Sequence, residues 1–195
     1  MPGRAAAVTP AAGGAESSGR PADQSLQELI GARIRDVPDY PQPGVMFKDI
    51  TPLLADGPAF RAVIGALAAG HGPVDKVAGI EARGFILAAP VACAIGAGFV
   101  PVRKAGKLPG ATRAETYDLE YGTATIEIHE DAFGPGDRVL IVDDVLATGG
   151  TAAATAALVR RSGARVIQLA VLLELGFLNG RARLGDLEVR SLVTA

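Results

Sequence analysis

Apolar positions show no pattern at the start of the chain and form short aliphatic runs later. Residues 1–24 are rich in Ala, Gly, Pro and Ser. Such a segment buries too little apolar surface to offset its ordering entropy, so we predict a disordered tail at 1–24 and one domain at 25–195. Aliphatic runs predict strands at 76–80, 99–102, 123–129, 139–142, 166–173 and 189–193.

Segments of helical length separate these strands. The predicted helices cover residues 25–34, 58–69, 85–95 and 152–162. Ser25 and Glu28 match a capping box at the start of the first helix. Strands that alternate with helices indicate an α/β fold with a doubly wound, mostly parallel sheet. In such a sheet, ligands bind beyond the carboxyl ends of the strands.

Two connecting segments stand apart from this pattern. Residues 37–44 contain three prolines, which exclude a helix or a central strand. We predict an ordered loop there, within a small N-terminal hood at about residues 34–55. Residues 105–121 are polar and mixed. They predict a long loop, and loops of this length are usually functional or mobile.

The composition excludes several classes of function. A net charge of -2 gives no broad basic field for a nucleic acid backbone. No window approaches the roughly 20 apolar residues that a membrane span needs. A single cysteine, Cys93, excludes an internal disulfide and a cysteine-rich zinc site. Because Cys93 lies in an apolar run, we predict that it is buried. The N-terminal residues contain no compact apolar stretch typical of a secretory signal, so we expect a reducing, cytoplasmic setting.

Candidate chemistry begins where the buried strand at 139–142 ends. Asp143 and Asp144 follow it, and Ala147, Thr148, Gly149, Gly150 and Thr151 then open a helix. Glycines let several backbone N–H groups point at one spot, where the helix dipole adds positive potential, so this loop suits a phosphate. Carboxylates repel phosphate but accept hydrogen bonds from hydroxyls. The two features together predict a site for a ribose 5-phosphate.

Two other nucleotide motifs do not fit this segment. The chain has no Gly-x-x-x-x-Gly-Lys-Ser/Thr loop, which excludes a P-loop, and no Gly-x-Gly-x-x-Gly follows a strand. The alternative to a ligand site at residues 139–151 is a purely structural corner, in which a strand turns into a helix with a capping threonine and exposed acids.

Basic residues form local groups in this acidic chain. Arg83 follows the predicted strand at 76–80, and its guanidinium offers a bidentate fork for pyrophosphate oxygens. Arg103, Lys104 and Lys107 form a cluster that suits the same anion. The alternatives are an interfacial salt bridge for Arg83 and a solvated loop face for the cluster.

The Asp-Asp and Thr-Gly-Gly-Thr arrangement resembles the motif with which type I phosphoribosyltransferases bind 5-phosphoribosyl 1-pyrophosphate (PRPP). Residues 43–52, 79–85, 103–109 and 117–122 resemble the adenine-specific branch of that family, and the likeness runs from about residue 34 to residue 193. Ala105 departs from relatives that carry Arg or Pro there. The resemblance implies the fold of that family.

The resemblance also implies a role for each motif. Asp143 and Asp144 would hold the ribose hydroxyls, residues 147–151 the 5-phosphate, and Arg83, Arg103, Lys104 and Lys107 the pyrophosphate. Phe47 would stack on adenine, the backbone at Met46 and Lys48 would read its amino edge, and Val145 would cover the other face. Glu120 would handle a proton near the five-membered ring of the purine, with Arg83 and Lys107 assisting catalysis.

The implied reaction converts adenine and PRPP to AMP and pyrophosphate. The resemblance implies Mg²⁺ carried by PRPP rather than by the protein, and a homodimer. The rival acceptors are hypoxanthine, guanine and xanthine. Two further rivals are a catalytically inactive homologue and a PRPP sensor that regulates transcription, for which the N-terminal segment is too short and too poor in basic residues.

Overall fold

The computed structural model describes residues 21–118 and 122–195, with side chains from residue 25 onward. Five α-helices lie within these residues: α1 (Pro21–Gly31), α2 (Thr51–Ala55), α3 (Gly57–Leu67), α4 (Arg83–Ile95) and α5 (Gly150–Arg161). The strands are β1 (Arg35–Val37), β2 (Phe47–Asp49), β3 (Lys76–Ile80), β4 (Gly98–Lys104), β5 (Thr112–Asp118), β6 (Thr123–His129), β7 (Arg138–Leu146), β8 (Arg165–Glu174) and β9 (Val189–Thr194). Two short 3-10 helices, Gly176–Leu178 and Gly180–Arg183, follow β8.

The main sheet has seven strands in the order β5-β6-β4-β3-β7-β8-β9. Strands β4, β3, β7, β8 and β9 are parallel to one another, whereas β5 and β6 form an antiparallel hairpin at one edge. The predicted α/β class with a mostly parallel sheet is confirmed. The carboxyl ends of the five parallel strands therefore lie along a single edge of the sheet.

Strand β7 shows how the sheet is covered on both faces. Val139 and Ile141 point into one core, which also contains Leu158 and Val159 of α5. Leu140 and Val142 point into a second core, which is formed with α3 and α4. Because successive side chains of a strand point to opposite faces, a continuous aliphatic run is needed where helices cover both.

Strands β1 and β2 form a separate two-stranded antiparallel sheet near the N-terminus. Their register pairs Arg35 with Asp49 and Val37 with Phe47. The Arg35 guanidinium donates two hydrogen bonds to Asp49 Oδ2, at 3.1 and 2.6 Å. We refer to residues 34–55, which hold this hairpin and α2, as the hood.

The structure corrects several predicted elements near the N-terminus. Helix α1 begins at Pro21, so Ser25 lies inside the helix and does not cap it. The helix also includes residues 21–24, where a disordered tail was predicted. The rest of that prediction, residues 1–20, lies outside the described residues. The hairpin of β1 and β2 and the helix α2 were not predicted, because elements of three to five residues carry almost no periodicity.

Two corrections concern the region of the predicted ligand site. The predicted loop at 105–121 contains β5, which pairs with β6 along its whole length. Strand β7 extends to Leu146 because β8 pairs with it that far. Asp143 and Asp144 therefore lie within the strand and not after it.

Cys93 is exposed and not buried as predicted. It lies on the outward face of α4, on which Ile86 is also exposed. The apolar run misled the prediction because both faces of this helix are apolar, whereas only one packs on the sheet.

Candidate active site

The two aspartates of β7 lie at the carboxyl edge of the sheet, where α4 begins. Asp144 is only 6% exposed, and its Oδ2 lies 2.7 Å from Arg83 Nε in an ion pair. Asp143 Oδ1 accepts a hydrogen bond of 2.8 Å from the backbone N–H of Asp144. The paired carboxylates therefore share their surroundings with one arginine.

Asp143 lies in an environment that disfavours its charge. Burial, and then repulsion from Asp144, raise the pKa of the Asp143 carboxyl well above its ordinary value. A methyl group at Gly84 would lie 2.7 Å from Asp143 Oδ1, so the start of α4 approaches the carboxylate as closely as only glycine permits.

A pocket of about 70 Å³ opens beside Asp143. It is lined by Val145 and by all five residues of the predicted phosphate loop, Ala147, Thr148, Gly149, Gly150 and Thr151. Gly149 precedes α5 with a φ of 81°, a conformation that favours glycine. The N-terminus of α5 thus faces this pocket, as the sequence predicts for a phosphate site.

The 3-10 turn after β8 supports the phosphate loop from behind. A Cβ on Gly149 would overlap the carbonyl oxygen of Gly180, and a Cβ on Gly180 would overlap that of Ala147. Neither backbone segment has room for a side chain. Gly180 was not identified from the sequence, since it lies some thirty residues after the loop in an unremarkable turn.

The basic cluster at the end of β4 is held by the carboxylate of Glu81, the residue that follows β3. Glu81 Oε2 accepts hydrogen bonds from Arg103 Nε at 3.2 Å and from the Lys104 backbone N–H at 3.0 Å. Arg103 Nη1 also donates to the Lys107 carbonyl at 2.9 Å. Lys104 and Lys107 are exposed. The cluster is therefore ordered at its backbone, with two lysine side chains facing solvent.

Glu127 of β6 is a second carboxylate in this region that the sequence did not single out. It is 5% exposed, and its Oε1 accepts hydrogen bonds from the backbone N–H groups of Lys107 and Leu108, both at 3.0 Å. The hydrogen bond from Leu108 is the main cause that lowers the pKa of Glu127. The alternation of β6 predicted a half-exposed strand, which gave no reason to expect a buried acid.

Arg83 connects the paired aspartates with the hood. Its guanidinium carbon lies 4.8 Å from the centre of the Phe47 ring, and its Nη1 donates to the Lys48 carbonyl at 3.3 Å. Tyr40 packs edge-on against Phe47, with 5.0 Å between ring centres. The predicted adenine residues Phe47 and Lys48 thus contact an arginine that is itself paired with Asp144.

The remaining predicted residues lie as follows. Met46 is 49% exposed on the hood, and Val145 lines the pocket beside the phosphate loop. Glu120 falls outside the described residues. The fold brings together the Asp pair, the phosphate loop, Arg83 and the hood. Lys107 is linked to the end of β3 indirectly, because Arg103 donates both to Glu81 and to the Lys107 carbonyl.

Comparison with known proteins identifies the family. The sequence profile of the phosphoribosyl transferase domain family matches residues 53–190. A curated adenine phosphoribosyltransferase from Thermobifida fusca is 65% identical over 171 residues, which cover 87% of this chain and 97% of the relative. The chain belongs to the adenine phosphoribosyltransferase family.

Solved structures of adenine phosphoribosyltransferases share the fold. That of the Rhodothermus marinus enzyme is 52% identical with a TM-score of 0.85, over 88% of this chain and 99% of that one. The Saccharomyces cerevisiae enzyme, solved with an imino-altritol bisphosphate and adenine, is 38% identical with a TM-score of 0.82, over 87% and 99%. The predicted resemblance to the type I phosphoribosyltransferases is thereby confirmed.

Among the described residues, no helix is both long and apolar enough to cross a membrane. No three His, Cys, Asp or Glu side chains in residues 21–118 and 122–195 are grouped so that they could hold a metal ion.

Proposed function

We propose that the protein transfers the 5-phosphoribosyl group of PRPP to adenine, forming AMP and pyrophosphate in purine salvage. The chain belongs to the adenine phosphoribosyltransferase family, and one observation of its structure supports this proposal. The Asp143-Asp144 pair, the phosphate loop at 147–151 and the hood meet at one sheet edge, where Arg83 contacts both Asp144 and the hood.

The paired aspartates are proposed to bind the ribose hydroxyls. A carboxylate accepts hydrogen bonds, and each ribose hydroxyl donates one. Arg83 Nε lies 2.7 Å from Asp144 Oδ2, so the positive charge of the arginine favours the ionised form of that carboxylate. Asp143 borders the same pocket as the phosphate loop, so hydroxyls and 5-phosphate of one ribose would be bound by neighbouring parts of β7 and α5.

The 5-phosphate is proposed to bind the backbone N–H groups of Ala147, Thr148, Gly149, Gly150 and Thr151. These groups lie at the N-terminus of α5, which favours an anion. The pocket there is lined by all five residues. Backbone donors of this kind bind phosphate without an arginine or lysine.

Pyrophosphate is proposed to bind Arg83, Arg103, Lys104 and Lys107. Mg²⁺ is proposed to arrive on the phosphates of PRPP. Two adjacent carboxylates supply too few ligands for the six-coordinate ion, which usually keeps several waters and takes the rest from substrate phosphates. When bound, the ion would neutralise charge that develops on the leaving pyrophosphate.

Adenine is proposed to stack on Phe47, with Val145 on its other face and the backbone of Met46 and Lys48 at its amino edge. The yeast relative was solved with adenine bound. The guanidinium of Arg83 stacks on the Phe47 ring here, and adenine is a flat group of the kind that such a ring face accepts.

In the proposed reaction, the bond from ribose C1 to the pyrophosphate oxygen breaks and a bond from C1 to a ring nitrogen of adenine forms. The transition state resembles an oxocarbenium ion, as in glycoside hydrolysis. Pyrophosphate takes the electron pair of the broken bond, while Arg83 and Lys107 stabilise its charge. The proton released from the adenine ring nitrogen is proposed to pass to Glu120.

The acceptor is tested by supplying PRPP and Mg²⁺ with each purine base in turn. We expect AMP with adenine and no nucleotide with guanine, hypoxanthine or xanthine. Turnover of another base but not adenine would overturn the base assignment. Binding of PRPP without turnover of any base would support the sensor, and the absence of both would identify an inactive homologue.

The ribose site is tested by Asp144→Asn. The substitution removes a charge paired with Arg83 and one acceptor for a hydroxyl. We expect kcat/KM for PRPP to fall about tenfold to a hundredfold, the range for lost hydrogen bonds to charged groups. Asp186→Asn is the matched control because the Asp186 side chain is fully exposed. Unchanged activity in Asp144→Asn would contradict the proposed role.

We also propose that the protein acts as a homodimer in the cytoplasm, and that copies associate through the outward face of α4. Ile86 is 44% exposed, and Phe99, whose ring packs against that of Phe85 on the same helix, is 38% exposed. Together with exposed Cys93, they form an apolar surface of a kind that often marks an interface.

Ile86→Lys is expected to give a monomer in sedimentation analysis. Phe177→Lys, at an apolar residue 76% exposed elsewhere, should leave the dimer intact. A parent protein that sediments as a monomer would refute the proposed dimer.

A further inference from the structure

The side chain of Tyr117 lies against the phosphate loop, although it comes from the edge strand β5. Thr151 Oγ1 donates a hydrogen bond of 2.9 Å to Tyr117 Oη. A Cβ on Gly150 would lie 3.1 Å from Tyr117 Cδ2, so the ring also covers the first residue of α5. The Tyr117 ring is half-buried and packs on the core beneath α5. Its position is therefore set by packing and not by its hydroxyl alone.

A threonine hydroxyl has one proton and two acceptor lone pairs. In this structure the proton of Thr151 is directed at Tyr117. A phosphate oxygen only accepts hydrogen bonds, so Thr151 must redirect its proton in order to bind one. Its oxygen then becomes free to accept a hydrogen bond, and the Tyr117 hydroxyl is 2.9 Å away and can donate it.

We propose that Tyr117 is a positioning residue for the 5-phosphate and acts through Thr151. When phosphate binds, the hydrogen bond between the two hydroxyls reverses, so that Tyr117 donates to Thr151 and Thr151 donates to phosphate. Hydrogen bonds linked in this way polarise and strengthen one another. The inference rests on the proposed function, which assigns Thr151 to the phosphate.

The backbone of Thr151 is held independently of Tyr117. Thr155 Oγ1 donates to the Thr151 carbonyl at 2.8 Å, and Thr151 lies in the first turn of α5. Removing the Tyr117 hydroxyl should therefore leave the helix in place. It should affect only the direction and donor strength of the Thr151 hydroxyl.

The test compares Tyr117→Phe, Thr151→Val and the double variant in steady-state assays. We expect Tyr117→Phe to raise the KM for PRPP about threefold to tenfold, the range for one hydrogen bond, with kcat and the KM for adenine unchanged. Competitive inhibition by ribose 5-phosphate should weaken by the same factor, whereas inhibition by pyrophosphate should not change. The double variant should bind PRPP no worse than Thr151→Val.

Thr116→Val is the matched control. Thr116 lies on the same strand as Tyr117, and its Oγ1 forms a hydroxyl-hydroxyl contact of 2.9 Å with Thr125 of β6. Because successive side chains of a strand point to opposite faces, Thr116 points away from the face on which Tyr117 meets the phosphate loop. This variant should keep the parent's KM for PRPP. Equal KM changes in Thr116→Val and Tyr117→Phe would show a general effect of β5 and would overturn the inference.

Other outcomes separate the inference from the function on which it rests. If Thr151→Val leaves the KM for PRPP unchanged, the assignment of Thr151 to phosphate fails, and the inference fails with it. If Thr151→Val raises this KM but Tyr117→Phe does not, only the inference fails. Additive effects in the double variant would also overturn it, because Tyr117 would then act without Thr151.

Discussion

At the scale of single residues, Asp143 illustrates a conflict between binding and stability. Burial and the neighbouring Asp144 raise its pKa above the ordinary value of 3.8. The folded protein therefore binds this proton more tightly than the unfolded chain does. The resulting contribution to stability is present below the unfolded pKa and is lost as the pH rises through the folded pKa.

We therefore expect Asp143→Asn to raise the free energy of unfolding at neutral pH, because the amide carries no charge that burial and Asp144 disfavour. The amide still accepts the hydrogen bond from the Asp144 N–H. The gain in unfolding free energy should disappear near pH 4 and below. PRPP use should fall, because Asp143 is a proposed acceptor for a ribose hydroxyl and an amide accepts more weakly than a carboxylate. Urea unfolding at both pH values measures the gain, with Asp186→Asn as the control. A variant that is no more stable than the parent at neutral pH would contradict this account.

Gly180 is the second residue at which a small change should have a large effect. A Cβ there would overlap the carbonyl oxygen of Ala147 and lie 3.1 Å from the backbone nitrogen of Gly149. Gly180→Ala is expected to displace the phosphate loop, lowering stability by about 1–3 kcal/mol and raising the KM for PRPP more than the KM for adenine.

Gly65→Ala is the control for this change, because a Cβ on Gly65 of α3 meets nothing within 4 Å. It should leave both KM values unchanged and stabilise the helix slightly. Thermal unfolding and steady-state kinetics of the two variants test the prediction. If Gly180→Ala behaved like Gly65→Ala, the close approach of the two backbone segments would have no functional importance.

At the scale of elements, Glu127 of β6 orders the segment that carries Lys107. It accepts two backbone hydrogen bonds from that segment, and its Oε2 also accepts one from Thr112 Oγ1 at 3.3 Å. Arg103 holds the Lys107 carbonyl from the other side. The lysine proposed to bind pyrophosphate is thus held through both its backbone N–H and its backbone carbonyl.

Glu127→Gln removes the charge but keeps the shape. We expect the KM for PRPP to rise about threefold to thirtyfold, since hydrogen bonds to a charged acceptor are stronger than those to an amide. Glu115→Gln is the control, because Glu115 on the adjacent strand pairs with Arg161 at 2.5 Å and not with the Lys107 segment. Kinetics with PRPP, and with pyrophosphate in the reverse reaction, measure the effect. Equal KM values in the two variants would rule out this positioning role.

Elements could be predicted from the sequence where their own residues carry a hydrophobic pattern. The predicted bounds of β3 and β6 coincide with the observed Lys76–Ile80 and Thr123–His129, because aliphatic runs and alternation mark buried and half-buried strands. Strand β5 is polar and carries no such mark. It is a strand because β6 pairs with it along its whole length and because Tyr117 packs on the core. Both causes are tertiary, so a local pattern cannot show them.

The same distinction applies to the site. Asp143, Asp144 and the phosphate loop are adjacent in the chain, so their chemistry is visible in one segment of sequence. Contacts that complete the site join distant residues, as with Glu127 and Lys107, which are 20 positions apart, or Tyr117 and Thr151, 34 apart. Only the order of strands in the sheet brings such pairs together.

At the scale of the whole molecule, the two ends of the parallel sheet use charge differently. The carboxyl end collects Asp143, Asp144 and Arg83, and Asp143 also lines the pocket. At the amino end, Arg138, the first residue of β7, binds Asp75, the residue before β3, through two side-chain hydrogen bonds, both of 2.7 Å. A backbone hydrogen bond of 2.8 Å from Arg138 joins the same carboxylate. The first arrangement suits a ligand, whereas the second ties the starts of two central strands together.

The pH dependence of stability should reflect this division. Side-chain and then backbone hydrogen bonds from Arg138 hold the pKa of Asp75 well below its ordinary value of 3.8. A carboxylate whose pKa is lowered by folding contributes to stability above its unfolded pKa. This contribution is lost as the pH falls towards the folded pKa. Asp75→Asn should therefore lower Tm by a few degrees at neutral pH, and the deficit should shrink as the pH falls from about 4 towards 2.

Because Asp75 lies at the end of the sheet opposite the site, Asp75→Asn should keep the KM values for PRPP and adenine of the parent. Asp144→Asn should show the converse, with weak PRPP use and a smaller change in Tm. Thermal unfolding at several pH values, together with steady-state kinetics of both variants, tests the division. A KM change in Asp75→Asn, or a Tm deficit that persists at low pH, would show that the two ends of the sheet are not independent.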